Sequence, residues 1–538
     1  MSSLQANYVS AASPAALAPA LRKALSYLIT AFVSALYLFP FIRLFTWAPD
    51  EGISEYGAEV ILRGGMPFRD FIELYPPGSY YWLALFFRLF GVTLFTARGL
   101  LLCEGVVTAV LVFFLSRRLG GTGLFATALL ITTSIPIGVL NSPHYDANLF
   151  ALAAFALFII AERRLSGLSS GRAPQNGRTY VLLFLASLLA GWTSCLLQEK
   201  GLYLAAAFVI SLLLLHPGKR FCLAALVALG YALPLVAEVG LFASRGALRD
   251  LIYANVKLPL SIYHSINAVH YGYFLWEVKI QQWFSGVQGH MPLPLAVVFV
   301  AALSVPFVLI MLLPFAVPAL GLAERARAFS RAWLPYWPAA FAIFASELHR
   351  LDIGHLRNGC LLLAVLFFAL TEMHPKPFLR HLVLVVAFCT VLNGAVNLAG
   401  ALSYKTVIHT RRGTLLAPER DTALEFLLSH TRPGDNVLVY PYRPVYYFLA
   451  DLRNPTRLDC FIYDKYVEPL FREAVRDLDR KRVRYVLWDA VFSGENLRSL
   501  FPSYRPPPPD QLIMEPYLES HYHQIAFENG FRILERNQ

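Results

Sequence analysis

Residues 46–82 read TWAPDEGISEYGAEVILRGGMPFRDFIELYPPGSYYW and interrupt an otherwise apolar region of the chain. This stretch holds six acidic residues and two arginines, and it follows the first long apolar run. A polar loop that leaves the membrane directly after a spanning segment is expected to lie at the membrane surface. We therefore interpret the stretch as a polar platform, which the rest of the chain either holds in place or covers.

The composition predicts a membrane protein. Hydrophobic residues make up 57% of the 538 residues and charged residues only 15%, whereas soluble proteins carry about a quarter charged residues. Apolar runs long enough to cross a bilayer recur, and they predict a polytopic α-helical membrane protein with about 11 transmembrane helices. The predicted spans lie near residues 22–45, 93–116, 123–140, 148–162, 180–197, 200–215, 220–243, 292–320, 333–348, 356–373 and 379–402.

Lysine and arginine residues mark alternate connections between these spans. They include Arg22, Lys23, Arg117, Arg118, Arg163, Arg164, Lys219, Arg220, Arg325, Arg327, Arg331, Lys376 and Arg380. Because cytoplasmic loops carry such residues, we expect the N-terminus to be cytoplasmic. The net charge of +11 then reflects membrane topology, and no nucleic-acid partner is expected.

The same reasoning predicts the domain organisation. Residues 1–20, rich in Ala, Ser and Pro, predict a disordered cytoplasmic tail. Residues 21–402 predict the transmembrane domain, with a first outer loop at 46–92 and a long outer loop at 244–291. Residues 403–538 are more charged and alternate helical with strand-like patterns, which predicts a small outer α/β domain.

Short elements are also predicted within these regions. Two juxtamembrane helices are expected in the first loop, at 52–62 and 78–90. The second is rich in aromatic residues and too short to span, so we expect it to lie in the membrane interface. In the C-terminal region, helices are predicted at 421–430 and 467–481, and strands at 436–440, 483–489 and 531–535.

The first candidate site is the acid pair Asp50-Glu51, which directly follows the first span. An acid at this position can act as general base toward an acceptor, or it can bind a metal ion that neutralises a phosphate leaving group. The alternative is an ordinary solvated start of a loop, for which two acids are unremarkable.

Other candidates lie in the remaining outer turns. The turn His144-Tyr145-Asp146 supplies either a second carboxylate or a metal ligand, or else Asp146 only caps the next helix. Lys200 lies between two apolar spans, where a charge is costly unless it faces a cavity or water. Arg350 can bind phosphate through two nitrogens, although a salt-bridged interfacial turn explains it equally well. His264, His270 and His290 match no standard zinc spacing, and the six cysteines form no CxxC pair.

The first loop resembles that of the GT-C glycosyltransferases, polytopic enzymes that take a sugar from a polyprenyl-phosphate donor. The similarity is closest to the branch of protein O-mannosyltransferases and aminoarabinose transferases. It rests on Asp50-Glu51, Gly64-Gly65, Phe68-Arg69-Asp70-Phe71 and Tyr75-Pro76-Pro77-Gly78-Ser79-Tyr80-Tyr81. It covers roughly the first 120 residues closely and the rest of the chain loosely.

The resemblance implies an inverting sugar transfer in a bacterial inner membrane. Asp50 would be the base or would position the acceptor, with Glu51 and Asp146 as further catalytic acids. The expected partners are the polyprenyl-phosphate sugar, an envelope glycan, lipid or protein acceptor, and the bilayer. No cofactor is certain, and a divalent metal ion stays open without assigned ligands.

One departure from the family concerns the donor phosphate. Some relatives place a lysine just before the proline pair, whereas this chain has Leu74-Tyr75-Pro76. Phosphate contacts are therefore expected from Arg69, Lys200 or Arg350. Residues expected to line the remaining site are Asp70, Glu73, Tyr75, His144, Gln198 and Glu199.

Two other classes of function stay open on the sequence alone. A transporter or flippase of a lipid-linked glycan would carry polar residues in mid-span or matched broken helices in two halves. Neither pattern is clear in this sequence. A non-catalytic assembly subunit would not need the acid-rich first loop.

Overall fold

A computed structural model describes residues 14–46, 48, 50–136, 138–167, 177–260, 268–374, 376–463, 467–499 and 501–538. Within them, eight helices are long and apolar enough to cross a membrane. These are Leu21–Arg43, Leu94–Arg118, Pro143–Leu165, Gly177–Leu196, Gln198–Leu215, Arg220–Ser244, Leu293–Ala323 and Pro377–Ser403. A ninth span forms if Ile353–Gly359 and Leu361–Glu372, which meet at 64°, cross together.

Each of the eleven predicted spans contains a helix, but two of these helices are too short to cross a membrane, so the described residues support eight or nine spans rather than eleven. Leu124–Thr133 and Tyr336–Ala345 have 10 residues each. The first ends shortly before Pro136, whose ring would clash with a helical carbonyl one turn back. The expected tail also differs, because the first helix already begins at Pro14, while residues 1–13 lie outside the described part of the chain.

The positively charged connections meet at one end of the helix bundle. A cavity of about 960 Å³ at this end is lined in part by Arg22, Lys23, Arg117, Arg118 and Arg163. Three of the predicted connections therefore lie together, as alternating spans require.

The first outer loop forms the two predicted helices, Ile53–Leu62 and Gly78–Phe90. Gly52 begins the first with φ at +94°, and a Cβ there would overlap the backbone of Val445. A glycine is thus required both by the backbone angle and by the close approach of the C-terminal region. Shorter helices elsewhere are Phe41–Arg43, Leu248–Ile252, Tyr253–Lys257, Leu275–Lys279, Ile280–Val287 and Arg325–Ala328.

The C-terminal region contains a hairpin and a mixed four-stranded sheet. The strands are β1 (Thr406–Thr410), β2 (Gly413–Ala417), β3 (Val437–Tyr440), β4 (Tyr485–Asp489), β5 (Tyr522–Glu528) and β6 (Phe531–Arg536). The sheet order is β3-β4-β6-β5, with β3 and β4 parallel and the other pairs antiparallel. Its helices are Thr422–His430, Val445–Leu449, Glu468–Arg480, Met514–His521, Gly494–Ser499 and Pro509–Gln511.

The sequence predicted β3, β4, β6 and the helices near 421–430 and 467–481, and the structure confirms them. It did not predict β5 or the β1–β2 hairpin.

The C-terminal region packs directly on the first outer loop. The β1–β2 hairpin holds both ends of that loop, because the Phe45 amide donates to the Leu416 carbonyl and the Leu94 amide to the Arg412 carbonyl, each at 2.8 Å. Within the loop, the Ile72 amide donates to the Arg457 carbonyl at 2.8 Å. The C-terminal region therefore covers the polar platform.

Candidate active site at the outer end of the bundle

Asp50 is exposed at the start of the first loop and is contacted by a residue of the C-terminal region. The Tyr442 hydroxyl donates to Asp50 Oδ1 at 2.5 Å. Burial, and then the neighbouring carboxylate of Asp50, raise the pKa of Tyr442 well above its ordinary value. The phenol therefore stays protonated and remains a donor to Asp50.

Glu51, the second acid of the pair, is buried and forms an ion pair with Arg98. Arg98 also donates to the Val139 carbonyl at 2.6 Å. A carboxylate tied to a buried guanidinium is a poor proton acceptor, because its charged form is stabilised. This geometry favours a positioning role for Glu51 over proton transfer.

A further acid of the loop, Glu55, joins the first loop to the second outer turn. Asn141 Nδ2 donates to Glu55 Oε1 at 2.7 Å. Burial raises the pKa of Glu55, and the hydrogen bond from Asn141 opposes that shift. Glu55 is not among the residues that the sequence nominates, since an acid inside a short amphipathic helix carries no distinguishing signal.

Asp146 is buried near the start of the helix Pro143–Leu165, beside Ser79 and Glu104. The cap of this helix is Ser142, whose Oγ accepts a hydrogen bond from the His144 amide at 3.3 Å. The capping alternative for Asp146 is therefore not what the structure shows. Instead, Asp146 and Glu104 form a pair of neighbouring buried carboxyl groups.

Lys200 lies in a fully buried network of polar side chains. Its Nζ donates to Glu347 Oε1 at 2.6 Å and to Asn148 Oδ1 at 2.5 Å. His144 Nδ1 lies 3.2 Å from the same Glu347 oxygen. Glu347 and Lys200 are both fully buried, so their side chains form an ion pair that is shielded from solvent. An ionised carboxylate thus balances the buried lysine.

The charged turn that contains Arg350 lies next to this network. Arg350 Nε donates to Asp352 Oδ2 at 2.5 Å, and Asp352 Oδ1 lies 2.9 Å from His355 Nδ1. The Arg350 guanidinium also lies over the rings of Phe274 and Phe501, at 5.9 and 5.4 Å from their centroids. Since Phe501 belongs to the C-terminal region, that region reaches Arg350 as well as Asp50.

Three of the remaining predicted residues border these groups. Tyr75 meets the His144 ring edge-on, with 5.7 Å between centroids, so the first loop reaches the Lys200 network. Gln198 Nε2 donates to Asn255 Oδ1 at 2.9 Å and thereby ties this helix start to the long outer loop. Glu73 is buried in the first loop and adds to the negative field around Tyr442.

The other predicted residues lie on the surface. Glu199 is exposed. Arg69 forms an exposed ion pair with Asp70 at 2.8 Å, and it also reaches the Arg245 carbonyl at 3.5 Å. Among the described residues, these contacts include no member of the Lys200 network. The location of Arg69 therefore favours it least among the phosphate candidates.

The sequence analysis did not single out two residues that the fold brings to this site, Tyr442 and Glu347, although it did nominate Arg350 from the turn that follows Glu347. The signal for Glu347 was its place at the end of an apolar run, where a buried charge needs a partner. Of the three histidines weighed for zinc, His270 pairs with Glu277 at 2.5 Å and His290 is exposed. His264 lies outside the described residues.

Comparisons with known proteins locate this architecture among solved structures. No protein-family profile matches the chain, and no curated protein matches it in sequence. ArnT from Cupriavidus metallidurans, bound to undecaprenyl phosphate, is similar with a TM-score of 0.55 at 14% identity, over 95% of this chain and 97% of that one. The Archaeoglobus fulgidus oligosaccharyltransferase in complex with Zn and sulfate has a TM-score of 0.51 at 13% identity, over 94% and 73%. At these identities the likeness is one of fold.

Proposed function

From the GT-C glycosyltransferase fold that this chain has, we propose that it transfers a sugar from a polyprenyl-phosphate donor to an envelope acceptor. The acceptor is a glycolipid, a polysaccharide or a protein. The observation that carries the proposal is the position of Asp50. It is an exposed acid at the outer end of the first span, oriented by Tyr442 beneath the C-terminal region.

Asp50 has the geometry of a general base. Tyr442 holds Oδ1, which leaves Oδ2 to take the proton of the acceptor hydroxyl or amine. The deprotonated acceptor atom attacks the anomeric carbon as the bond from that carbon to the phosphate oxygen breaks. Polyprenyl phosphate leaves with the bonding electron pair. A single displacement of this kind inverts the anomeric configuration.

Lys200 and Arg350 are the proposed contacts of the donor phosphate. Both cations are buried at the outer end of the bundle, and each is already paired with a carboxylate, Glu347 or Asp352. Hydrogen bonds from ionised donors to phosphate are about twice as strong as neutral ones. The similar ArnT structure contains undecaprenyl phosphate, which supports a donor of this lipid class.

The proposed location is a bacterial inner membrane, with the arginine-rich end in the cytoplasm. The loops at 46–92 and 244–291 and the region 403–538 then face the periplasm, and residues 21–402 form the membrane domain. This orientation in the membrane is supported by the cavity that Arg22, Arg117 and Arg163 line together. These cations lie at the end of the bundle opposite to the candidate site.

A transporter of a lipid-linked glycan is the second candidate. Glu104 favours it, because a buried acid inside a spanning helix is typical of a translocation pathway. A non-catalytic assembly subunit remains the third, and it predicts neither sugar transfer nor lipid movement.

Reconstituted proteoliposomes separate these functions. Wild-type protein should transfer labelled sugar from a polyprenyl-phosphate donor to envelope acceptors, and Asp50→Asn should lower kcat by about a thousandfold. Asp510→Asn, the same substitution at an exposed acid that follows the four prolines at 506–509, is the matched control and should transfer normally. Unchanged transfer by Asp50→Asn would refute the proposed base. Donor movement across the bilayer without any transfer would favour the transporter.

A further inference from the structure

Three histidines and one glutamate converge beside Lys200. One ligand atom from each of His144, Glu347, His349 and His355 lies within 4.8 Å of the others. The centroid of the His355 ring lies 4.8 Å from that of His144 and 5.0 Å from that of His349. The residues come from two distant parts of the chain, so sequence spacing could not indicate the cluster.

Each imidazole is oriented by an oxygen behind it. His144 Nδ1 faces Glu347 Oε1 at 3.2 Å, and His349 Nδ1 faces the Ser346 carbonyl at 3.1 Å. His355 Nδ1 faces Asp352 Oδ1 at 2.9 Å. A histidine that donates one N–H to an oxygen presents the lone pair of its other nitrogen, which is the usual arrangement of a metal ligand.

Two atoms of the cluster are buried without a hydrogen bond. His144 Nε2 has no hydrogen-bond partner among the described residues, and His144 is only 6% exposed. Glu347 Oε2 lies 3.1 Å from His144 Nδ1 but lacks hydrogen-bond geometry, whereas Oε1 is held by Lys200. Unsatisfied polar atoms of this kind are costly, and a cation would satisfy both.

We propose that His144, His349, His355 and Glu347 bind a zinc ion. Imidazole nitrogen and carboxylate oxygen are ordinary zinc ligands, and four of them suit tetrahedral coordination. Ligands at zinc bond lengths and tetrahedral angles lie roughly 3.4 Å apart. Separations of up to 4.8 Å must therefore close by up to roughly 1.4 Å, and His349 and His355 are only half-buried, which leaves their rings room to rotate. Asp50 is not among the proposed zinc ligands. The zinc site is therefore argued independently of the proposed sugar transfer.

The test uses full-length protein in detergent, stripped with a chelator and titrated with zinc chloride. Calorimetry and elemental analysis should give one zinc ion per chain, and X-ray absorption at the zinc edge should give nitrogen and oxygen neighbours at roughly 2.0–2.1 Å. His349→Ala should weaken binding at least about tenfold, and the double variant His349→Ala/His355→Ala more strongly. His381→Ala is the matched control, because His381 is exposed near the arginine-rich end of the bundle.

Two results would overturn the site. One is zinc binding by the double variant as tight as that of the wild type. The other is the absence of measurable zinc binding by the wild type, which would make the cluster a plain ion-pair network. His349 Nδ1 faces a backbone carbonyl and its ring lies 5.0 Å from that of His355, so the metal-free melting temperature of His349→Ala is measured beside its zinc affinity to separate lost packing from lost coordination. Asp50→Asn should retain zinc, which separates a failure of this site from a failure of the transferase proposal.

Discussion

Tyr442 donates a hydrogen bond to Asp50 at 2.5 Å, although the two residues lie 392 positions apart. The contact joins the last extramembrane region of the chain to the first. It makes the C-terminal region part of the candidate site, since a residue of that region orients the acid of the first loop.

Tyr442→Phe tests that contact. Phenylalanine fills the same buried space but removes the hydroxyl, so Asp50 loses its oriented partner. A hydrogen bond to a charged group contributes about 1.5–3 kcal/mol, and kcat should therefore fall about tenfold or more with KM nearly unchanged. Steady-state kinetics in proteoliposomes measure both constants. An unchanged kcat would mean that Tyr442 only packs against the loop.

Gly52→Ala tests how closely the C-terminal region packs against the first loop. The substitution places a methyl group into the backbone of Val445 at a φ of +94°, so the two regions should separate. Gly64→Ala is the matched control, because Gly64 has a φ of +90° and nothing within 4 Å of the added carbon.

Limited proteolysis and thermal melting report the difference between the two glycine variants. Gly64→Ala should cost about 1 kcal/mol through backbone strain alone. Gly52→Ala should lower the melting temperature further and expose the C-terminal region to cleavage. Equal behaviour of the two variants would show that the close approach at Val445 is unimportant.

The buried Glu51–Arg98 pair should stabilise the fold rather than perform chemistry. Arg98→Met leaves Glu51 buried without its partner, which costs about 3–5 kcal/mol. The double variant Glu51→Leu/Arg98→Met should recover most of that loss, because both charges are then gone. Unfolding in denaturant measures the cycle. If the single and double variants were equally unstable, the pair would not be the source of the loss.

Lys200→Met and Arg69→Met rank the candidates for the donor phosphate. Lys200→Met removes a buried cation and should reduce transfer by about a hundredfold or more. Arg69→Met acts on an exposed ion pair with Asp70, so its effect should be the smaller of the two. Transfer rates at several donor concentrations make the comparison. A larger loss of transfer in Arg69→Met than in Lys200→Met would indicate that the donor phosphate is bound by the first loop.

The sequence predicted what depends on local pattern. Apolar length gave the helical segments, and the acid at the end of the first span singled out Asp50. The break between spans near Gln198 is also real, since Leu197 is extended before the next helix begins. Contacts between distant segments carry no such pattern. The pairings Tyr442–Asp50, Glu51–Arg98 and Glu347–Lys200 arise only when separate loops meet, so neither the orientation of Asp50 nor the role of Glu51 could be read in advance.

The β1–β2 hairpin joins the two ends of the first loop through Leu416 and Arg412. This has a consequence for the order in which the protein matures. The first loop leaves the ribosome early, yet both of its anchors are synthesised only after the last spanning helix. Between those moments the loop has its acids but lacks its closure. A nascent chain released before residue 412 should therefore retain every spanning helix and still lack the hydrogen bonds that join the two ends of the first loop.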